Sequence, residues 1–139
     1  MKMRSIVFGI CLLFIYQTSI SQNVLGNVKR GPFLIAELSF KSIDTTNTYK
    51  LRYLDAKLEI LKSIDFNENQ KFIDELYNFF TKMLSEKNGV SNDIQIGKLK
   101  LNATTQKMMG MRNIVITIDE SSNFGLNGNE LNKLFGKNL

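Results

Sequence analysis

The segment 67–86 carries the strongest periodic pattern in the chain, and it therefore constrains the fold most. Its apolar residues recur at intervals of three and four positions, so a helix would align them along a single face. This stripe consists of Phe72, Ile73, Leu76, Phe79, Phe80, Met83 and Leu84. Asn67 and Gln70 predict the N-terminal cap, and Gly89 predicts the stop. Burial of such a stripe is worth on the order of 10–20 kcal/mol, so the helix must pack on a sheet or on a second copy of itself.

Before this helix, apolar and polar residues alternate, which is typical of half-buried strands. Residues 33–41 predict one such strand, with Leu34, Ala36, Leu38 and Phe40 on one side and Glu37, Ser39 and Lys41 on the other. Residues 44–48 predict a turn by their composition, and residues 49–64 predict a second, longer strand. The apolar register of this second strand changes near Tyr53 and Leu54. Either a β-bulge keeps both halves on one face, or the first half shows its aromatic residues to the opposite face.

After the helix, Ile94 and Ile96 alternate in one register and Leu99 and Leu101 in the other. A second bulge at Gly97 would explain this shift. The remaining segments are predicted, in chain order, as the next reversal or an extension of the strand (102–112), a strand (114–118), a loop (121–128) and a short helix (130–135).

The order of these elements is β-β-α-β-β, and the connections between consecutive strands are short. This order predicts an α+β fold with two layers. One layer is a mainly antiparallel sheet of about four strands. The other is one long amphipathic helix on one face of the sheet, and a short helix ends the chain. Residues 22–139 are predicted to form a single domain.

The N-terminal segment has the organisation of a secretory signal peptide. Lys2 and Arg4 precede an apolar run over residues 6–16, and the small residues Ser19 and Ser21 precede Gln22. The run is shorter than the roughly 20 residues that span a bilayer. We therefore predict that residues 1–21 are a signal peptide and that the remaining chain, without a stable membrane span, is located in the periplasm or outside the cell.

Two residue types on which many enzymes depend are missing from residues 22–139. The whole chain has no His, and its single Cys, Cys11, lies in the predicted signal peptide. Ser–His and Cys–His nucleophiles and disulfides are therefore excluded from this part of the chain. The sequence also lacks a Gly-rich phosphate loop and an Arg-rich run, so neither a nucleotide nor a nucleic acid is predicted as a partner. We predict a protein that is not an enzyme and has no cofactor, with weak calcium binding as the one exception.

That exception rests on the segment 119–130, which resembles the calcium loop of an EF-hand in the spacing of its oxygen-bearing residues. The six ligand positions are Asp119, Ser121, Asn123, Gly125 (through its carbonyl), Asn127 and Glu130. Phe124 stands where the calcium loop requires Gly, and only two of the six positions carry a carboxylate, so a site of this composition would be weak. The alternative is a plain connection from strand to helix, in which Asn127 or Asn129 caps the last helix.

Met108, Met109 and Met111 surround Gly110 and form a thioether cluster. Thioether sulfur binds Cu(I), so a copper site is one interpretation of this cluster. The alternative is a hairpin bend at Gly110 in which the methionines fill gaps in the core.

One helix covers only one face of a sheet, so the other face is predicted to be open. Phe33 and Ile35 lie opposite the core side of the first strand, and Leu51 and Tyr53 join them if no bulge is present. Such a surface would contact another exported or envelope protein or a second copy of the chain. The alternative is that the last helix or residues 23–32, which are predicted to be an irregular lead-in, fold over it. The predicted function is an exported binding module that acts through this face or through an edge strand. The alternative is a protein that binds a small ligand or, weakly, calcium.

Overall fold

The computed structural model describes residues 22–43 and 46–137. The predicted signal peptide and the first two residues of the predicted turn at 44–48 lie outside the described residues. Within them, the elements are β1 (Asn23–Arg30), β2 (Phe33–Ile43), β3 (Thr46–Leu54), β4 (Leu61–Asn67), α1 (Gln70–Ser85), β5 (Ser91–Ile96), β6 (Leu99–Met108), β7 (Met111–Ile118), β8 (Ser122–Asn127) and α2 (Gly128–Leu134).

The strands form two antiparallel sheets, and each sheet follows chain order. Sheet A has the order β1-β2-β3-β4, and sheet B has the order β5-β6-β7-β8. A helix follows each sheet, so the described chain repeats one arrangement, a meander of four strands and then a helix. The predicted α+β class, the long helix between groups of strands and the short final helix are confirmed. The strands are more numerous than predicted, because there are two four-stranded sheets where one sheet of about four strands was expected.

The chain reverses after Tyr53 and Leu54, so neither of the two interpretations of the register change is correct. The predicted strand 49–64 is split by a loop over residues 55–60, and its two parts, β3 and β4, pair with each other. Leu51 lies opposite Ile64 in this pairing. Because an odd-numbered residue pairs with an even-numbered one, the core-facing positions change parity across the hairpin. The sequence shows this change of parity but not the reversal that causes it.

The register shift at Gly97 has the same origin. Ile96 pairs with Leu99, and Gly97 lies between them in a two-residue turn with a φ of 56°. A positive φ at the first turn position is typical of tight hairpins and favours glycine. The chain therefore does not bulge at Gly97. It reverses there, in a hairpin that joins β5 to β6.

The predicted loop at 121–128 is mostly strand. β8 pairs with β7, and its Phe124 and Leu126 are buried in the core. The residues that suggested a loop, Asn123 and Gly125, lie on the opposite face of the same strand. Packing of the buried face thus overrides the low strand propensity of Asn and Gly.

Both helices begin at an asparagine cap. α1 begins after Asn69, whose side-chain oxygen accepts a 2.9 Å hydrogen bond from the Phe72 N–H. The predicted cap, Asn67, is instead the last residue of β4, opposite Thr48. α2 begins after Asn127, whose side chain and backbone form a reciprocal capping box with Glu130.

Both sheets and both helices contribute to the buried core. The predicted stripe of α1 contains four buried residues, Ile73, Leu76, Phe80 and Met83, and α1 contacts β6 and β7. Tyr53 of sheet A stacks on Phe124 of sheet B, with 5.1 Å between the ring centroids. Among the described residues, neither helix is long and apolar enough to cross a membrane.

The first and last described elements also contact each other. β1 packs against α2, and a Cβ at Gly26 would collide with the Lys133 carbonyl oxygen. The Arg30 guanidinium donates two hydrogen bonds of 2.8 Å to the Glu130 carboxylate and one of 2.9 Å to the Gly125 carbonyl. The hydrogen bonds from Arg30 hold the pKa of the Glu130 carboxyl below its usual value. α2, near the end of the described chain, therefore holds β1 in place.

Candidate functional site

The outer face of sheet A, which points away from the core, is charged over most of its length. Arg52 lies 3.2 Å from Glu37, and Lys50 lies 3.9 Å from Asp65, each pair spanning neighbouring strands. Exposed pairs of this kind contribute little to stability, but they keep the face well hydrated. The charged rows stop before the end of the sheet at which the 55–60 loop lies.

At that end, the surface becomes apolar. Four large side chains there are at least half exposed, and we call them the end patch: Phe33, Leu58, Ile60 and Leu61. Phe33 belongs to this end because Ala36 pairs with Tyr53, so β2 runs on toward the loop that follows β3. Clustered exposure of this kind differs from the single exposed apolar residues found on most protein surfaces.

The loop that carries Leu58 and Ile60 is anchored by a buried charge. The Asp55 side chain has no exposed surface, and its carboxylate lies 2.8 Å from the Lys62 ammonium group. The same carboxylate accepts a 3.0 Å hydrogen bond from the Lys57 N–H. The bonds from Lys62 and Lys57 hold the pKa of Asp55 below its usual value, so the carboxyl is ionised at neutral pH.

Backbone hydrogen bonds complete this anchor. The Asp55 N–H donates to the Ile60 carbonyl at 2.9 Å, and the Glu59 N–H donates to the Asp55 carbonyl at 2.8 Å. The Ala56 N–H donates to the Asn123 carbonyl of sheet B, also at 2.9 Å. The loop is therefore closed on itself and tied to the second sheet, so the positions of its apolar side chains are fixed.

The surface predicted from the sequence is only partly correct. Phe33 is exposed as predicted, whereas Ile35 is buried, so the prediction of Ile35 as a surface contact is wrong. Leu51 and Tyr53 belong to the core, where the Tyr53 hydroxyl shares a 2.7 Å hydrogen bond with Ser122. The prediction that these two residues reach the surface is wrong, because the hairpin at 55–60 keeps the odd-numbered positions of β3 on the core face.

Leu58, Ile60 and Leu61 were missed as surface residues because the sequence pattern assigned them to a strand. Two signals mark the true loop. The apolar register changes parity within it, and Asp55 is a residue type that favours turns through bonds to its own backbone. These signals are compatible with a reversal, but they do not distinguish it from a bulge.

The six residues of the predicted calcium loop do not surround a common point. Asp119 and Ser121 lie in the turn before β8, and Asn123, Gly125 and Asn127 follow along the extended strand, with Glu130 in α2. Alternate residues of a strand are about 7 Å apart, whereas the ligands of one calcium ion all lie about 2.3–2.6 Å from it. Asn127 and Glu130 do lie close together, but they are hydrogen-bonded to each other in the capping box. The Glu130 carboxylate is also bonded to Arg30.

The outer face of sheet B is polar and carries its own concavity. Five residues line this space of about 350 Å³: Asp93, Lys100, Asn102, Thr117 and Glu120. Lys100 lies 3.4 Å from Asp93 and 3.5 Å from Glu120, and the bond to Asp93 raises the pKa of the lysine. One ammonium group therefore lies between two carboxylates, and the charged residues that line this concavity leave a net charge of −1.

The space between α1 and the sheets offers no ligand cavity. The apolar gap there, lined by residues such as Leu51, Phe80 and Phe124, has a volume of about 10 Å³. Such a volume holds at most one water molecule. Among the described residues, no three His, Cys, Asp or Glu side chains are grouped to hold a metal ion.

Comparison of the chain with protein-family models, with curated proteins and with solved structures found no match.

Proposed function

We propose that the chain is an exported, non-catalytic binding module that contacts another exported or envelope protein through the end patch. The observation that carries this proposal is the gathering of Phe33, Leu58, Ile60 and Leu61 at one end of a face that is otherwise charged. Several large apolar side chains exposed at one end of a domain are typical of a protein interaction site. The exposed apolar area supplies affinity, and the charged rows beside it limit which partners fit.

The loop geometry supports this proposal. A binding surface that is ordered before its partner arrives loses little conformational entropy on association. The buried Asp55–Lys62 pair and the three backbone bonds of the loop supply that order. These bonds keep Leu58 and Ile60 exposed to solvent. The order of the loop does not depend on burial of these two side chains.

The edge of sheet A adds a second contact. Leu61 begins β4, and in the described part of the chain β4 pairs only with β3. A partner on the end patch therefore also reaches the outer backbone edge of β4, to which an extended segment could add as a strand.

The test is crosslinking in intact cells of the natural source, with the full chain carrying a C-terminal tag. Leu58→Glu is expected to reduce capture of the partner at least tenfold, since a central apolar anchor contributes about 2 kcal/mol or more to binding. The matched control is Ile43→Glu, because Ile43 is similarly exposed but lies at the opposite end of sheet A. Equal capture by both variants would contradict the proposal.

Export is tested separately by the mass of the chain recovered from fractionated cells. We expect a chain that begins at Gln22 and is found in the periplasm or the medium. An intact chain with Met1, found in the cytoplasm, would refute the export part of the proposal. The proposed binding through the end patch would be unaffected.

A further inference from the structure

We propose that the turn between β6 and β7 binds Cu(I) through the thioether sulfurs of Met108, Met109 and Met111. This site lies on sheet B and is independent of the function proposed for the end patch. The two proposals can therefore fail separately.

The three methionines are exposed, which removes the explanation that they fill the core. Met109 is fully exposed, and Met108 and Met111 are each more than half exposed. All three line one open concavity of about 330 Å³, which is also bordered by Gln106, Asn113 and the Arg30–Glu130 ion pair. Three sulfur ligands thus border a common space.

The hairpin register brings these side chains together. Met108 and Met111 are the last pair before the turn, so their side chains lie on the same face of the hairpin. Each side chain has three rotatable bonds and an adaptable thioether, so the sulfurs can converge on one ion. Two neighbouring cations, Lys107 and Arg112, lie on the opposite face, where Arg112 donates to the Leu84 and Ser85 carbonyls. A third, Arg30, borders the concavity, but its guanidinium donates to the Glu130 carboxylate and the Gly125 carbonyl.

Stability does not explain the methionine at the tip. Met109 and Gly110 occupy the two turn positions, with φ values of 51° and 79°. Asn, Asp and Gly adopt this left-handed conformation most readily, and Met does not. A long apolar side chain is therefore held in a strained conformation and in full contact with solvent, an outlier that points to a use other than folding.

Composition and chemistry identify the metal. The sequence has six methionines; Met1 and Met3 lie in the predicted signal peptide and Met83 is buried, which leaves the turn with the other three. Thioether sulfur is a soft ligand that selects Cu(I), whereas Cu(II) and Zn(II) favour imidazole, thiolate or carboxylate. The turn contains none of these three groups.

The experiment is a competition for Cu(I) between the purified chain and a chromophoric Cu(I) chelator, in the presence of ascorbate. We expect the chain to withdraw one equivalent of Cu(I). The M108L/M109L/M111L variant keeps the apolar volume and is expected to withdraw none. Loss of a group that only supports a ligand costs about 10–100-fold in metal affinity, so Met109→Leu alone should weaken binding at least about tenfold.

Met83 supplies an internal control, because it is a buried residue of α1 and lies outside the turn. In spectra of chain labelled at the methionine methyl groups, Cu(I) is expected to shift the three turn signals and leave the Met83 signal in place. Met83→Leu should keep full Cu(I) uptake. No withdrawal of Cu(I) by the unaltered chain, or equal withdrawal by the triple variant, would overturn the proposal.

Discussion

The loop over residues 55–60 and the turn at Met109–Gly110 both join antiparallel strands, and both present apolar side chains to solvent. They do so by opposite means. The loop is fixed by a buried ion pair and carries branched side chains, whereas the turn is as short as a hairpin allows and carries flexible ones. A fixed apolar surface suits a partner of fixed shape, and flexible thioethers suit a small ligand around which they can close.

Removal of the anchor should produce the largest effect. Asp55→Ala leaves the Lys62 ammonium group and the Lys57 N–H without the carboxylate that they bond. Loss of a buried acceptor is destabilising, because the donors that it served lose a hydrogen-bond partner. We expect a lower free energy of unfolding in urea and weaker capture of the partner, whereas Cu(I) uptake at the turn should be retained in the folded variant. Asp55→Asn, which keeps an acceptor for the Lys57 N–H, should be affected less.

The same carboxylate should make the stability of the chain depend on pH. Its pKa is lowered in the folded state, so its contribution is complete above the unfolded pKa of about 4 and is lost as the pH falls through the folded value. Urea unfolding at a series of pH values is expected to show stability falling below about pH 4. The acid limb should be shallower in Asp55→Asn, and an identical limb would contradict the assigned role.

The turn should respond with the opposite sign. Met109→Asn places at the first turn position a residue that tolerates positive φ, so it should raise the free energy of unfolding by about 0.5–1 kcal/mol. Thermal unfolding measures this change, and Gly125→Ala, whose Cβ would meet only ordinary contact with Ile114, controls for substitutions elsewhere in sheet B. A fall in stability would show that Met109 has a structural role, and the contrast between the two connections would then be lost.

Calcium should have the smallest effect on either region. The spacing of Asn123, Gly125 and Asn127 along β8 does not place their oxygens around one ion. We therefore expect the melting temperature to be unchanged on addition of several millimolar calcium, as on addition of EDTA. A calcium-dependent rise in the melting temperature that Asp119→Ala abolishes would contradict this expectation and support a calcium site that includes Asp119.

The regular elements of this fold are predicted by the sequence, whereas the connections are not. The sequence predicts α1 from its apolar stripe and β7 from its alternation. In each case a single element packs one face against the core, so the pattern is regular. The reversal at 55–60 depends instead on a buried Asp55 that meets Lys62 from the next strand, and no local pattern reveals that pairing. The same is true of β8, where Phe124 and Leu126 fill the core although Asn and Gly lie between them.

The candidate site follows the same division. Phe33 was predicted as a surface residue because it lies in a single regular strand. Leu58, Ile60 and Leu61 were not, because their exposure is decided by the connection rather than by the strand. The methionines of the turn were recognised as a cluster, but their exposure became evident only from the register of β6 and β7.

The contact between β1 and α2 sets a limit on when this fold can be completed. β1 pairs with β2, and it also packs against α2 through the Arg30–Glu130 ion pair and the fit of Gly26 against Lys133. Contacts between segments so far apart in sequence form late, because the intervening chain must first be ordered. We expect the contact between β1 and α2 to be missing from a nascent chain until α2 has been synthesised, which would leave the chain less compact for the export that we propose.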